Sequence, residues 1–596
     1  MFRRSTKITS LIVAAASVAT MVPAMAADVK KIDDQDGIIY NAIAYKDGQF
    51  YIDGDLEDKD EAAYYLSDGK YTDLDDIDSG DEVRSYGTKY VEVGSEGDGD
   101  YYLDLSTGKV TDDEVAQDAK DDAISALRKK VKKDGPEDRY DKAEYEDLVD
   151  ANDFDLIKSA AFQDEYYETS YNVSEKITDK KVNGGADEFH VYTDKDGNYI
   201  DADYNVGKIS IATGGTTGDG VKVIENTNDD KEGYRAVITH KDTIAQDKDY
   251  VYRTAYLKIT DADGEIDVTK DMYFGGSKNS HKVNVTTDAG ILVIQKISKA
   301  QASDDIDDAK YAKTVNTYFV TGDEAGDVKD GDLYDKFTVV DGKLVSYEIK
   351  DNKIFARTIE LKSKNGYYYT DIKDSADTDI EHTGSAADYE NAAYSIDVDG
   401  NLWIVDSGNV KKWDNDEDFD KVYKVDGSVS QLSVYDKDNL IAWDEDDEVY
   451  SIVAGKATDD NTDDNTVTTT GWVQDATTGA WSYVKADGTK AIGWFQSPTS
   501  YLWYYMDANG VMQANGWIQD GGSWYFLDST GAMKTGWVYT GGAWYFLKPT
   551  NGNKGAMQTG WIQTGGKWYY CNASGAMLSN TTVGGYVLGA DGAWIK

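Results

Sequence analysis

The sequence predicts a mainly β protein: an acidic β-rich body carrying one short helical insertion, followed by a C-terminal solenoid of β-hairpins. Three observations carry this. The chain has 45 Tyr and only 4 Pro among 596 residues, and Tyr suits the half-buried surface of a sheet. Asp-Gly turn pairs recur at Asp47-Gly48, Asp68-Gly69, Asp196-Gly197, Asp263-Gly264, Asp341-Gly342, Asp399-Gly400 and Asp426-Gly427, and such pairs favour tight hairpins. Finally, Gly-Trp pairs start at Gly471, Gly493, Gly516, Gly536 and Gly560, a near-constant period that marks a repeat architecture.

At this length a single hydrophobic core is not expected. Residues 1–26 read as a secretory signal: basic Arg3, Arg4 and Lys7, an apolar run from Ile8 to Met21, and small residues at Ala24 and Ala26. No later apolar run is long enough to span a bilayer. The expected product is secreted to the surface of a Gram-positive cell. The chain ends without a hydrophobic sorting tail, so attachment there is expected to be non-covalent. Cys571 is the single cysteine, which excludes an intrachain disulfide. The formal net charge of −50 excludes nucleic acid as an electrostatic partner. Residues 471–596 hold 7 Lys/Arg against 6 Asp/Glu, so nearly all of the acid lies earlier.

The body is assigned to residues 27–455, with candidate sub-units at 28–180, 181–330 and 331–455. A helical insertion is expected over about 111–162. Thr111 and Glu114 have capping-box spacing, Val115, Ala119, Ala123, Ile124, Leu127 and Val131 keep a helical period, and Gly135-Pro136 stops it; residues 141–162 suggest a second helix. Ser395–Asp406 aligns with Ser433–Asp444 at an offset of 38 residues, and Asp341–Val345 echoes it. That period fits propeller-type blades, and an irregular sandwich or stacked meanders fit as well. Residues 456–470 are small, polar and acidic, the composition of a linker.

Residues 471–596 hold 11 of the 14 Trp. The sharpest unit, Gly516–Thr535, places two aromatic runs around Gly521-Gly522, so each repeat reads as one hairpin; a lone hairpin is marginal, hence the repeats must stack. Residues 581–596 read as a terminal cap. Trp517/Trp524, Trp537/Trp544 and Trp561/Trp568 are seven apart, and Trp472/Trp481 and Trp494/Trp503 nine apart. A hairpin brings both indoles to one end, where an aromatic of the next repeat makes a box for a quaternary ammonium. Met512, Met533, Met557 and Met577 recur at a fixed place and offer a polarizable fourth wall. The plainer alternative is that these aromatics are only the solenoid core.

The pattern of Gly-Trp, turn glycines, Trp-Tyr-Phe or Trp-Tyr-Tyr, Gly-x-Met and Thr-Gly-Trp resembles the choline-binding, or cell-wall-binding, repeats of Gram-positive surface proteins and autolysins. The resemblance covers residues 471–596 and is sharpest from Gly516 to Met577. It implies that choline of teichoic acid sits between the two Trp of a repeat and an aromatic of the next. The implied ligand set is Trp494, Trp503, Met512, Trp517, Trp524, Tyr525, Met533, Trp537, Trp544, Tyr545, Met557, Trp561, Trp568, Tyr569 and Met577. Related repeats bind glucans or other glycans, so a cell-wall glycan stands as the alternative partner. The first two repeats depart in Trp spacing, and Gly488-Thr489-Lys490 lacks the methionine. Cys571 takes the place of Met506, Leu527 and Leu547, as a small core hydrophobe.

The body shows no catalytic signature. Its histidines, His190, His240, His281 and His382, have no metal-pair spacing, and no nucleophile elbow or phosphate loop occurs. The reading therefore leans against catalysis and toward adhesion or interaction, with a cell-wall hydrolase (amidase, muramidase or peptidase) as the competing class. No cofactor is expected, calcium excepted. Its weak candidates are Asp194, Asp196 and Asp201; Asp261, Asp263 and Asp267; and Asp397 and Asp399, all on tight turns. Plain hairpin turns are the simpler reading of the same residues.

Overall fold

The structure is a computed structural model that describes residues 29–595 apart from 96–97, 148–153, 158–159, 214–219, 276–280, 284, 286, 322–332, 383–391, 456–470, 475–479, 486–489, 498–501, 508–509, 529, 550–553 and 565. The signal of residues 1–26 and the linker of 456–470 lie outside the described residues. Those up to 455 form one compact unit and those from 471 a second.

Antiparallel sheets build the body. One is an up-and-down meander of Tyr394–Ile396, Leu402–Asp406, Asn409–Trp413 and Phe419–Lys424, with Lys30–Lys31 added in parallel at its edge. The next comprises Gln431–Asp436, Asn439–Asp444 and Val449–Val453, and is completed from the other end of the unit by Gln35–Ala44, whose Gln35 and Asp36 pair with Tyr450 and Val449. The remainder of that long strand pairs onward with Phe50–Leu56, then Glu61–Ser67 and Lys70–Asp73. Val83–Tyr86, Tyr90–Ser95, Asp98–Asp104 and Lys109–Thr111 make a further four-stranded meander.

The cores lie between these sheets. Trp403 and Val405 meet Leu432 and Leu440; Trp443 and Tyr450 meet Ile39 and Phe50; Tyr51 and Tyr65 meet Val91 and Leu103; and Leu402, Ile404 and Trp413 meet Val345 and Ile354 of a nine-stranded sheet. Successive meanders stack face to face through these cores. The 38-residue repeat has a physical basis, since it is the first strand, turn and second strand of consecutive meanders. Its serines do the same task in each copy: Ser395 Oγ accepts from the Val434 N–H at 3.0 Å, and Ser433 Oγ from the Ala44 N–H at 3.0 Å. Asp-Gly turns form as expected, with both residues at positive φ in Asp47-Gly48, Asp68-Gly69 and Asp341-Gly342.

Strand pairing crosses the sub-unit boundaries that composition suggested. The nine-stranded sheet runs from Tyr234–Gln246 to Ala376–Asp379, across 330/331, over the largest core, which includes Ile259, Phe274, Val293 and Phe319.

The helical insertion differs from expectation at both ends. Helix α1, Val115–Asp134, buries Ala123, Ile124, Leu127 and Val131 and stops at Gly135, whose φ of 69° and N–H bond to the Val131 carbonyl make a left-handed cap. The expected capping box does not form. Thr111 belongs to strand Lys109–Thr111, paired with Tyr102, and its Oγ1 bonds Asp113 instead. Helix α2 spans only Lys142–Asp147, and Asp155–Leu156 is already a strand paired with Tyr167 and Glu168. Among the described residues no helix is long and apolar enough to cross a membrane.

Candidate functional site: an aromatic ladder across five hairpins

Five two-stranded hairpins follow one another: Gly471–Gln474 with Trp481–Val484, Gly493–Gln496 with Trp503–Met506, Gly516–Asp520 with Ser523–Leu527, Gly536–Thr540 with Ala543–Leu547, and Gly560–Thr564 with Lys567–Cys571. Gly521 and Gly522, at φ 54° and 78°, make the two-residue turn of the third hairpin. That turn fixes the register: Trp517 faces Phe526 and Gln519 faces Trp524. Cross-strand partners share a face, so Trp517, Gln519, Trp524 and Phe526 all lie on one side, and the opposite face carries Ile518 and Tyr525. The fourth and fifth hairpins keep this register, with Trp537 opposite Phe546 and Trp561 opposite Tyr570.

The first Trp of each hairpin packs edge-to-face on a ring of its own hairpin and on a ring of the next repeat or the cap, and Trp472 meets Trp481 and Phe495 as well. Trp517 meets Phe526 at 5.2 Å and Tyr545 at 4.9 Å. Trp494 meets Tyr505 and Tyr525, Trp537 meets Phe546 and Tyr569, and Trp561 meets Tyr570 and Tyr586. Trp472 meets Tyr483 and Tyr504. The second Trp of a hairpin is the open one: Trp481, Trp524, Trp544 and Trp568 are 38–43% exposed, and Trp503 is half-buried. The third and fourth hairpins thus each offer one braced indole and one accessible indole on the same face, while both are half-buried in the second and both are open in the fifth, where Trp561 is 36% exposed.

Methionine does a second job. The N–H groups of Met512, Met533, Met557 and Met577 donate at 2.7 Å to the carbonyls of Trp481, Trp503, Trp524 and Trp544 in the preceding hairpin. Their side chains fill the space beneath a glycine of the following repeat, so a Cβ added at Gly531 would lie 2.6 Å from Met512 Sδ. The sulfurs thus tie repeat to repeat. Lys490 fills the same space under Gly510. Met506, Leu527, Leu547 and Cys571 face the starting glycine of their hairpins and are buried; burial pushes the Cys571 thiol up to about 11, the state of a core residue.

Sequence reasoning found the Trp pairs, Tyr525, Tyr545 and Tyr569. It missed the bracing rings Tyr505, Phe526, Phe546 and Tyr570, which the two-residue turn fixes in register, and the outer rings Tyr504 and Tyr586. Residues 581–595 add a three-stranded cap in which Tyr586 meets Trp594 at 5.2 Å.

The calcium candidates are occupied by other partners. Asp194 accepts from the backbone of Asp196 and Asn198 and from the Asn198 amide. Asp201 is buried and bidentate to Arg139, at 2.8 and 3.0 Å. Asp261 accepts from the Glu265 and Ile266 N–H groups, Asp263 lies 3.6 Å from Lys181, and Asp267 accepts from Thr269. Asp397 receives the Asp399 and Asn401 N–H groups and the Trp403 indole. These are turn-capping and ion-pairing roles, and among the described residues no group of three or more His, Cys, Asp or Glu converges as a metal site. The histidines serve packing: His190 stacks on His240 at 3.9 Å and His281 on Tyr367 at 4.2 Å.

Family models described as choline-binding repeat match residues 514–555 and 556–594, and one described as cell wall binding repeat matches 492–512. No curated protein matches the chain. Among solved structures, the choline binding domain of Spr1274 from Streptococcus pneumoniae is 45% identical, over 14% of this chain and 96% of that one, with a TM-score of 0.13. Choline binding protein F of the same organism, in the presence of a peptidoglycan analogue, is 21% identical over 55% and 97%, with a TM-score of 0.20. The multimodular pneumococcal cell wall endolysin from phage Cp-1, complexed with choline, is 31% identical over 25% and 42%, with a TM-score of 0.17. With the family models laid over the hairpin ladder, the C-terminal repeats of this chain belong to the choline-binding, or cell-wall-binding, repeat family.

Proposed function

We propose that this is a secreted surface protein that holds the cell wall non-covalently through choline of teichoic acid, taken up between successive hairpins, while the acidic body serves adhesion or interaction without catalysis. The observation that carries the wall-binding half is the ladder: a braced indole such as Trp517, closed by Tyr545 of the next hairpin at 4.9 Å, with the 41% exposed Trp524 on the same face. Indole faces presented on one side of a hairpin suit a quaternary ammonium, each well-placed ring contributing about 0.5–2 kcal/mol. Among the body's buried carboxylates, Asp201, Asp203 and Asp397 are taken by Arg139, Arg253 and Trp403, which supports a structural use of its acid. Repulsion between that acid and anionic wall polymers favours an outward-facing body.

The test is to load the full chain on a tertiary-amine resin that mimics choline and elute with free choline, comparing Trp517→Ala/Trp524→Ala. Specific elution, weakened in the variant, is expected; indifference to choline would transfer the ladder to glycans. A zymogram of the same protein on cell walls tests the body, where a cleared band would overturn the non-catalytic reading in favour of a hydrolase.

A further inference from the structure

The aromatic boxes share one plan, but one of them carries a charge. Counted from the starting glycine, the fifth residue of the second and third hairpins reaches the first Trp of the hairpin before it. In the second hairpin this residue is Ser497, whose Oγ accepts from the Trp472 indole N–H at 3.4 Å. In the third it is Asp520, whose Oδ2 accepts from the Trp494 indole N–H at 3.2 Å. In the fourth and fifth hairpins the position holds Thr540 and Thr564, and among the described residues no such bond reaches Trp517 or Trp537. Hydroxyls stand at three of these four places and a carboxylate at one.

We propose that Asp520 makes the box of Trp494, Tyr505 and Tyr525 the cation-selective site of the ladder, by placing an anion on the indole N–H of its central ring. This rests on the reading that the boxes receive a quaternary ammonium. Two effects act together. An indole that donates to an anion is polarised toward its ring, so its faces attract a cation more strongly. The carboxylate also lies one hydrogen bond beyond the ring edge, close enough for direct attraction to an ammonium at the ring face. Trp494 is held for this by its edge-to-face contacts with Tyr505 at 5.2 Å and Tyr525 at 4.7 Å. No Lys or Arg is ion-paired with Asp520 among the described residues, so its charge is not cancelled locally. Neutral ligands gain nothing from either effect, so Asp520 separates a choline head group from a glycan, which stacking alone does not. Asp520 is a positioning and polarising residue that acts through Trp494.

The experiment uses the full chain with indole-labelled Trp, following each Nε1–H resonance by NMR, with Trp494 assigned by Trp494→Phe. Two ligands of equal shape are titrated: choline, and 3,3-dimethyl-1-butanol, in which carbon replaces the charged nitrogen. Asp520→Asn keeps an acceptor oxygen for the indole and removes only the charge. The expected result is a ~3–10-fold loss of choline affinity at Trp494, with the neutral ligand unchanged there and choline unchanged at Trp537. In the unsubstituted protein, added NaCl should weaken choline at Trp494 more than at Trp537, because only the former includes an attraction between full charges. Unchanged choline affinity in Asp520→Asn, or an equal loss of both ligands, overturns the proposal, the second result assigning Asp520 a role in shape alone. If choline moves no indole resonance even in the unsubstituted protein, the box reading itself has failed and this inference falls with it.

Discussion

The contact between methionine and glycine that joins one repeat to the next can be broken at a single atom. Gly575 is buried, sits at φ 81°, and a Cβ built there would come within 3 Å of Sδ, Cε and Cγ of Met557. Gly575→Ala therefore meets two penalties. A side chain in the left-handed region costs about 1–2 kcal/mol, and forcing Met557 from its place adds about 1–3 kcal/mol of overpacking, for a total of roughly 2–5 kcal/mol. Gly542 supplies the control: its φ is 82°, and nothing lies within 4 Å of an added Cβ. Gly542→Ala should then show the backbone penalty alone. Tryptophan emission during urea unfolding is the assay, because 11 of the 14 Trp lie in residues 471–596. Shortening the clashing side chain by Met557→Ala should recover part of the loss in Gly575→Ala, giving a favourable coupling in the double-mutant cycle. If Gly575→Ala and Gly542→Ala unfold within about 0.5 kcal/mol of one another, the methionine does not tie the hairpins together and the reasoning fails.

Four further outcomes follow from the same geometry. Arg139→Met strands Asp201 as a buried unpaired carboxylate and should lower the body's stability by about 3–5 kcal/mol, measured by denaturant unfolding, with Asp201→Leu restoring much of it. Burial pushes His240 down to about 3, so it stays neutral in the folded body while the unfolded chain takes up a proton below its ordinary value of 6.5. Stability should fall as pH falls through that window, by about 2 kcal/mol at pH 5 from this group, and His240→Phe should flatten that part of the pH profile. For Asp203, burial pushes the carboxyl up, but the Arg253 charge and hydrogen bond together with His190 and its backbone N–H outweigh this and hold it below the usual carboxylate range; its contribution is present above an unfolded value near 3.8 and is lost in stronger acid, so Asp203→Asn should weaken the acid limb seen by circular dichroism. Cys571→Leu should cost under about 1.5 kcal/mol, since Leu527 and Leu547 fill the sister positions, and the native thiol should react with a disulfide reagent only after urea unfolds the repeats.

Much of the ladder was legible because its determinants are local. A Gly-Gly turn of two residues fixes the strand register, and register fixes which residues share a face; Phe526 opposite Trp517 follows from that turn and was open to inference. The closing ring was named only through the family resemblance, since nothing in the turn or the register picks it. Tyr545 reaches Trp517 and Tyr525 reaches Trp494 because of how one hairpin is displaced against the next, and that displacement is set by the Met–Gly contact and the Met N–H bond to a Trp carbonyl. Their periodic trace is the Gly-x-Met unit, which does not say that each glycine meets the methionine of the repeat before it. In the body, the 38-residue repeat was readable, whereas the strand that completes the last meander comes from Gln35–Ala44, and a tie such as Ser433 to Ala44 spans 389 residues. No window of sequence contains both partners.

The capping box that does not form and the calcium candidates share one physical feature, which is that a short polar side chain can satisfy the backbone in several ways. Thr111 and Glu114 have the spacing of a capping box, but the Thr111 backbone was already committed to pairing with Tyr102, so the hydroxyl turned to Asp113 and the helix began beyond it. Asp194 and Asp397 sit on turns with the oxygen density that a hard cation needs, yet in each the carboxylate folds back on amide groups two and four residues ahead. The same residues serve either purpose, and what decides is whether neighbouring carboxylates converge. Asp201 and Asp397 are the buried candidates, and Asp201 faces Arg139 across 62 residues of chain while Asp397 takes the Trp403 indole N–H. A body this acidic therefore holds its buried aspartates with N–H donors and guanidinium groups, while the repeats are nearly neutral, with 7 Lys/Arg against 6 Asp/Glu.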